Sequence, residues 1–109
     1  MKELAVYTIE QVPNHKVVKV LGLVRGNSVR SRHVGKDILA SFRNLVGGEV
    51  HEYTKLMAES REQAIDRMVE EAKMLGANAI VGARFSTSMV ASMAAELLAF
   101  GTAVILEEE

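Results

Sequence analysis

The sequence predicts an α+β protein: a small antiparallel β-sheet of three or more strands with two helices packed on one face. One observation is a long amphipathic segment from Thr54 to Gly76, which has the spacing of a surface helix. A second is two apolar segments rich in β-branched residues, Val17–Val24 and Ala79–Ser86, which are typical of strands. A third is the apolar stripe within Lys36–Val46, which predicts a shorter helix.

Composition limits the class of protein. The 109 residues predict one domain, with a core at 17–106, a lead-in at 1–16 and an acidic tail at 107–109. A net charge of −1 gives no basic excess for nucleic acid, and no apolar run reaches the ~18 residues of a membrane span. The N-terminus is too polar for a signal peptide. We therefore expect a soluble, cytoplasmic protein that binds neither nucleic acid nor membranes.

The long helix has two possible starts. Thr54 is a candidate N-cap, and Ser60 with Gln63 forms a capping box. We favour Thr54, because Met57 already belongs to the apolar stripe. Gly76 stands where a left-handed C-cap is expected. The apolar stripe consists of Met57, Ala64, Ile65, Met68, Ala72 and Leu75.

Before the long helix, the lead-in is compatible with a further strand at Leu4–Ile9, and Pro13 with Asn14 marks a turn. Val17–Val24 is apolar on both faces. The polar segment RGNSVRSRHVG that follows is either a connector or an extension of this strand.

The long helix is followed by a predicted hairpin of Ala79–Ser86 and Ala94–Leu106. Its connection, Thr87–Met93, has no Asn-Gly turn, so the sequence leaves the register open. A turn centred on Val90 places Arg84 opposite Glu96 as a pair of opposite charge.

This register also sorts the hairpin side chains by size, and we expect the helices to pack on the smoother face. The small face holds Ala79, Val81, Ala83, Ala95, Ala99, Gly101 and Ala103, with Phe85, Leu97 and Ile105 as larger exceptions. The opposite face holds Leu98, Phe100, Val104 and Leu106. Because no further segment is predicted to cover that second apolar face, we expect copies of the chain to cover it in a homo-oligomer.

Four segments resemble the YbjQ-like family of small bacterial and archaeal proteins: VLGLVRGNSVRSR, GKDILASFRNLVGGEVHEYTKL, SREQAIDRMVEEAKMLGANAIVGARF and ELLAFGTAVIL. The resemblance covers roughly Val17 to Leu106. It implies a dodecin-like subunit fold and assembly into rings, often pentamers. It also implies heavy-metal binding, although the chain has no cysteine to supply a thiolate. The flavin that dodecins stack on an aromatic residue is not expected, because the chain has no Trp.

A metal site has one candidate set of ligands, His33, Glu49 and His51. Imidazole and carboxylate groups suit zinc or nickel, but the three would converge only if the loops around the short helix fold together. The simpler interpretation, which we favour, is that the histidines lie in solvent.

Arg84 is the one charged residue in an otherwise apolar strand. Its structural interpretation, which we favour, is the pair with Glu96. Its functional interpretation is a ligand-binding cation at a subunit junction, with Tyr53 and Arg61 as neighbours.

Together with the uncovered apolar face, the resemblance implies a ring-forming homo-oligomer that binds a small ligand or metal ion between subunits. The alternative is a scaffolding oligomer with a protein partner and no ligand. We do not expect an enzyme, because there is no cysteine nucleophile, no Ser-His-Asp pattern and no paired carboxylate at a predicted strand end. The sequence does not identify a cofactor.

Overall fold

The computed structural model describes residues 3–30, 50–91 and 94–109. In chain order the elements are β1 (Ala5–Val6), β2 (His15–Arg30), α1 (Val50–Met74), β3 (Ala79–Ala91) and β4 (Ala94–Glu108). The chain is therefore α+β, as predicted. The predicted short helix at Lys36–Val46 lies outside the described residues.

The four strands form one sheet in the order β1-β3-β4-β2. The three long strands are antiparallel neighbours, as predicted, but β1 pairs with β3 in parallel, with Ala5 opposite Ala79. The sheet is therefore mixed rather than antiparallel. The lead-in follows the outer edge of β3, where Tyr7 donates to the Ile80 carbonyl at 2.8 Å and Ala83 donates to the Tyr7 carbonyl at 2.9 Å.

The first long strand extends well beyond its predicted end. Val17–Val24 lies inside β2, which has 16 residues and continues to Arg30. The polar segment after Val24 was predicted to be either a connector or an extension of the strand. Its first residues belong to the strand. Their pairing with β4, for example Ser28 with Leu97, satisfies backbone groups that a loop would leave to water.

The hairpin register differs from the one centred on Val90. Arg84 lies opposite Phe100, and Glu96 lies opposite Ser88. The predicted Arg84–Glu96 cross-strand pair is therefore wrong. Because β3 continues to Ala91 and β4 starts at Ala94, the longer ladder pairs backbone groups that a turn at Val90 would leave unpaired.

A bulge at Gly82 changes which residues of β3 face the helix. Gly82 has a φ of 64°, and the register shifts between Val81 and Arg84. One extra residue reverses the alternation of a strand. Ala83 therefore packs on the helix side, as predicted, whereas Ala79 and Val81 lie in the cluster on the opposite face, which corrects the prediction.

Helix α1 begins at Val50, so Thr54 lies inside it and is not its N-cap. Ser60 is buried in the middle of the helix, so the capping box is not used either. No proline or glycine separates Val50 from Thr54, and the helix continues toward its N-terminus without interruption. At the other end the prediction is confirmed: Gly76 has a φ of 86°, and the bonds from Gly76 N to Lys73 O and from Ala77 N to Ala72 O form a Schellman motif.

The main core lies between α1 and the sheet. Small residues and one methionine of the helix (Ala64, Met68 and Ala72) pack on six residues of the long strands: Val24, Ile80, Ala83, Leu97, Ala99 and Ala103. The approach is closest at Gly26, where a Cβ atom would overlap the Ala64 carbonyl oxygen and the Met68 amide nitrogen. The smooth surface lets the helix lie directly on β2 and β4.

The opposite face of the sheet is partly covered by the chain itself. Tyr7 and Val12 of the lead-in pack on a second buried cluster, Ala79, Val81, Val104 and Leu106. The expectation that no segment of the chain covers this face is therefore wrong at this end of the sheet. Three residues of β2 on the same face remain exposed, which we call the apolar strip: Val17, Val20 and Leu23, with 42%, 65% and 63% of their surface accessible.

Candidate functional site

Arg84 lies where the lead-in leaves the edge of β3. Its Nη1 donates to the carbonyl oxygen of Thr8 at 2.7 Å and to that of Ala83 at 2.9 Å. These two hydrogen bonds hold the guanidinium at the edge of the sheet. It lines a shallow, solvent-open depression together with Glu10 and Phe85. A planar guanidinium that is fixed through one nitrogen can still offer its other donors to an anion or a carbonyl group.

Glu96 has a different partner from the one predicted. Asn27 donates from Nδ2 to Oε2 of Glu96 at 3.2 Å, across the pairing of β2 and β4. Glu96 is four residues from Phe100, the register partner of Arg84, which corresponds to about 13 Å along a strand. Arg84 and Glu96 therefore belong to separate parts of the same sheet face.

The two other candidate ligand-binding residues lie on α1. Arg61 is exposed on the middle of the helix, and Tyr53 lies in its N-terminal part. The helix packs on the face that carries Ala99, whereas strand alternation places Arg84 on the opposite face. Within one subunit the sheet therefore separates Arg84 from Arg61.

The predicted metal ligands remain a prediction. His33 and Glu49 lie outside the described residues, and His51 is in the first turn of α1. Across residues 3–30, 50–91 and 94–109, no group of three His, Asp or Glu side chains converges as a metal site would require. The described part of the chain does not by itself fit a heavy metal.

One side chain that sequence analysis did not single out is His15, at the start of β2. Its Nδ1 lies 2.8 Å from the Pro13 carbonyl oxygen. Because a carbonyl only accepts, the neutral ring carries its proton on Nδ1, and Nε2 is left as an acceptor. The ring lines two open depressions, one of which also contains Tyr7 and Lys73. The feature of the sequence that could have pointed to His15 is the turn predicted at Pro13 and Asn14.

The edges of the sheet offer a further candidate surface. β2 is an edge strand, and β3 has no outer neighbour between Arg84 and Ala91 among the described residues. Phe85 and Met89 on that part of β3 are 50% and 69% exposed. In the described part of the chain no helix has the length and apolar character needed to cross a membrane.

Comparison with known proteins finds one matching family model and several similar proteins. The family model YbjQ_1, described as "Putative heavy-metal-binding", matches residues 4–107. A UPF0145 protein of Archaeoglobus fulgidus is 54% identical over 105 residues, which is 96% of this chain and 97% of that protein. UPF0145 proteins of Pyrococcus furiosus and Thermus thermophilus are 52% and 54% identical; the alignments cover 100% and 96% of this chain and 96% and 92% of theirs.

A solved structure has the same fold. It is a protein of unknown function from Pediococcus pentosaceus assigned to the DUF74 family, with a TM-score of 0.68 and 13% identity. The match covers 97% of this chain and 100% of the other. At this identity the likeness concerns the fold alone.

Proposed function

Since the chain belongs to the YbjQ-like family of UPF0145 proteins, we propose that it functions as a homo-oligomeric ring that binds a small ligand or a metal ion between subunits. A pentamer is the expected form. The observation that carries the proposal is the apolar strip Val17, Val20 and Leu23, which stays exposed although the register partners of Val17 and Val20, Leu106 and Val104, are buried on the same sheet face. An apolar surface of this kind commonly marks an interface.

The dimensions of the subunit support the same proposal. Helix α1 has 25 residues, about 37 Å, whereas β2 has 16 residues, about 53 Å. The helix is thus too short to cover the whole sheet. The radius of gyration is 17.0 Å, compared with about 13 Å for a compact domain of this length. Packing against other copies would bury the surface that this elongated shape leaves in solvent.

The chemistry of the chain restricts what it can bind. With no cysteine, any metal must be held by imidazole, carboxylate or thioether groups, which favours zinc or nickel over metals that require thiolates. His33, Glu49 and His51 remain the proposed metal ligands. For a small anionic ligand, Arg84, Glu96, Tyr53 and Arg61 are the proposed contacts, and they would be shared between subunits because one subunit keeps Arg84 apart from Arg61.

The second candidate is a scaffolding oligomer that binds a protein partner and no small ligand. It is favoured by the exposed Phe85 and Met89 on β3, because exposed apolar side chains at a sheet edge suit a protein partner. For both candidates we propose a cytoplasmic protein with a single domain and no enzymatic activity.

Native mass spectrometry with metal analysis distinguishes these candidates. A ligand-binding ring predicts a multiple of the 11.9 kDa subunit mass, and zinc or nickel should raise its melting temperature. Replacing His33 and His51 together by Ala should abolish that rise. An assembly with no bound mass and no response to either metal would support the scaffold instead. A monomer would contradict both.

A further inference from the structure

We infer that β2 of one copy pairs with the outer edge of β3, from Arg84 to Ala91, in the next copy. This inference rests on the proposed self-assembly and specifies which two surfaces meet. Joining two different edges is a heterologous contact, which repeats from copy to copy and closes into a ring when the rotation allows.

The first surface is the free edge of β2. This strand has 16 residues and a single neighbour, β4, among the described residues. Strands usually have 3–10 residues, and proteins keep exposed edges short, bulged or charged. β2 does carry cationic residues and two bulges between Val17 and Gly22, but from Leu23 to Arg30 it pairs regularly with β4 while no described strand lies at its other edge. It is also longer than most strands, and the apolar strip lies on it. Pairing with another strand would satisfy its free backbone groups and cover these side chains.

The second surface is the outer edge of β3. The lead-in occupies this edge only as far as Ala83. Its last two backbone bonds are those in which the Gly82 amide donates to the Ile9 carbonyl and the Ala83 amide donates to the Tyr7 carbonyl. From Arg84 onward no strand of the described chain lies there. Because β1 pairs with β3 in parallel, this edge already accepts a parallel neighbour. β2 of a second copy would pair with β3 beyond the end of β1 and run in the same direction as β1.

Charge argues against the other simple arrangement, in which two β2 edges pair with each other. β2 carries four cationic residues and no acidic one: Lys16, Lys19, Arg25 and Arg30. A twofold β2–β2 contact would place eight positive charges along one seam, and like charges on neighbouring strands are destabilising. The β3 edge from Arg84 to Ala91 carries one positive charge, and Glu10 lies beside it. A contact between a β2 edge and a β3 edge therefore has less electrostatic repulsion than a contact between two β2 edges.

Engineered cysteines test this directly, because the chain has none of its own. One cysteine is placed in β2 as Arg25→Cys or Asn27→Cys, and the other in β3 as Ser86→Cys or Ser88→Cys. These side chains are exposed, and the bond from Asn27 to Glu96 that one of the substitutions removes is also exposed, so the substitutions should not disturb folding. Chains with one cysteine in each strand should form a disulfide-linked ladder under mild oxidation. Each single variant alone should stay uncrosslinked, as should a control pair of Glu62→Cys with Ser88→Cys.

Light scattering on the same samples separates this inference from the proposed function. A ladder from the mixed pairs in an oligomer supports both. An oligomer in which the β2 variants crosslink with themselves, or in which no mixed pair crosslinks, would overturn the edge assignment and leave self-assembly intact. A monomer would overturn both.

Discussion

Gly26 of β2 lies directly under Ala64 of α1, so close that a methyl group at position 26 would overlap the Ala64 carbonyl oxygen. Gly26→Ala should therefore push the helix away from the sheet and destabilise the fold by about 1–3 kcal/mol. Urea unfolding measures the change. Gly22→Ala is the matched control: Gly22 has free space around it but a φ of 122°, so its substitution causes backbone strain without overlap. If Gly26→Ala leaves stability unchanged, the close approach of helix and strand is contradicted.

Among the described side chains of α1, Met68 is the largest that is fully buried in the core, with 1% of its surface accessible. Met68→Ala should lower the free energy of unfolding by about 2–5 kcal/mol, because it removes apolar contacts and leaves a cavity. Met74 on the same helix is 86% exposed. Met74→Ala should change stability by less than about 0.5 kcal/mol in the same chemical denaturation experiment. Equal effects at both positions would show that α1 packs through a different face.

Asn78 lies beside β4, and its side chain bonds to the β4 backbone as the backbone of a neighbouring strand would. Its Nδ2 donates to the Leu106 carbonyl at 2.9 Å, and its Oδ1 accepts from the Leu106 amide at 2.8 Å. Asn78→Ala removes both bonds and should cost about 1–2 kcal/mol by thermal or urea unfolding. Asn78→Asp keeps the acceptor but turns a carboxylate oxygen toward the carbonyl, so it should be no better than Ala. Gln11→Ala, at an exposed position, provides the control. An Asp variant as stable as the original chain would contradict this bonding.

Leu23 is the residue of the apolar strip next to the buried core residue Val24. Leu23→Glu should dissociate the proposed oligomer, because the interface would then have to bury a charge that is solvated in the monomer. Sedimentation velocity should show slower material that keeps its secondary structure by circular dichroism. Met74→Glu, a more exposed apolar position away from the sheet, should leave assembly unchanged. Intact assembly in the Leu23 variant would place the interface elsewhere.

Local patterns in the sequence were sufficient to predict the main elements. The stripe through Ala64, Met68 and Ala72 predicted the buried face of α1, and Gly76 predicted its end, because both depend on residues close in sequence. The register of the hairpin was not predictable in this way. No turn signal exists near Val90, and a single glycine such as Gly82 does not reveal whether a strand passes through it regularly or bulges.

The surroundings of the candidate site were harder to predict for a related reason. Arg84 could be recognised as an unusual charge in an apolar strand, but its acceptor is the backbone carbonyl of Thr8, and carbonyl groups have no sequence signature. Similarly, Tyr7 and Val12 were assigned to a lead-in. Their role in covering Val104 and Leu106 depends on the chain doubling back along β3, which is a long-range contact.

Self-assembly is the claim on which the ligand site, the ring and the edge pairing all depend. Multi-angle light scattering of the full chain at micromolar concentration tests it most directly. We expect one species whose mass is a fixed multiple of the 11.9 kDa subunit, five-fold for the expected pentamer. A folded species at the mass of a single subunit would contradict the account.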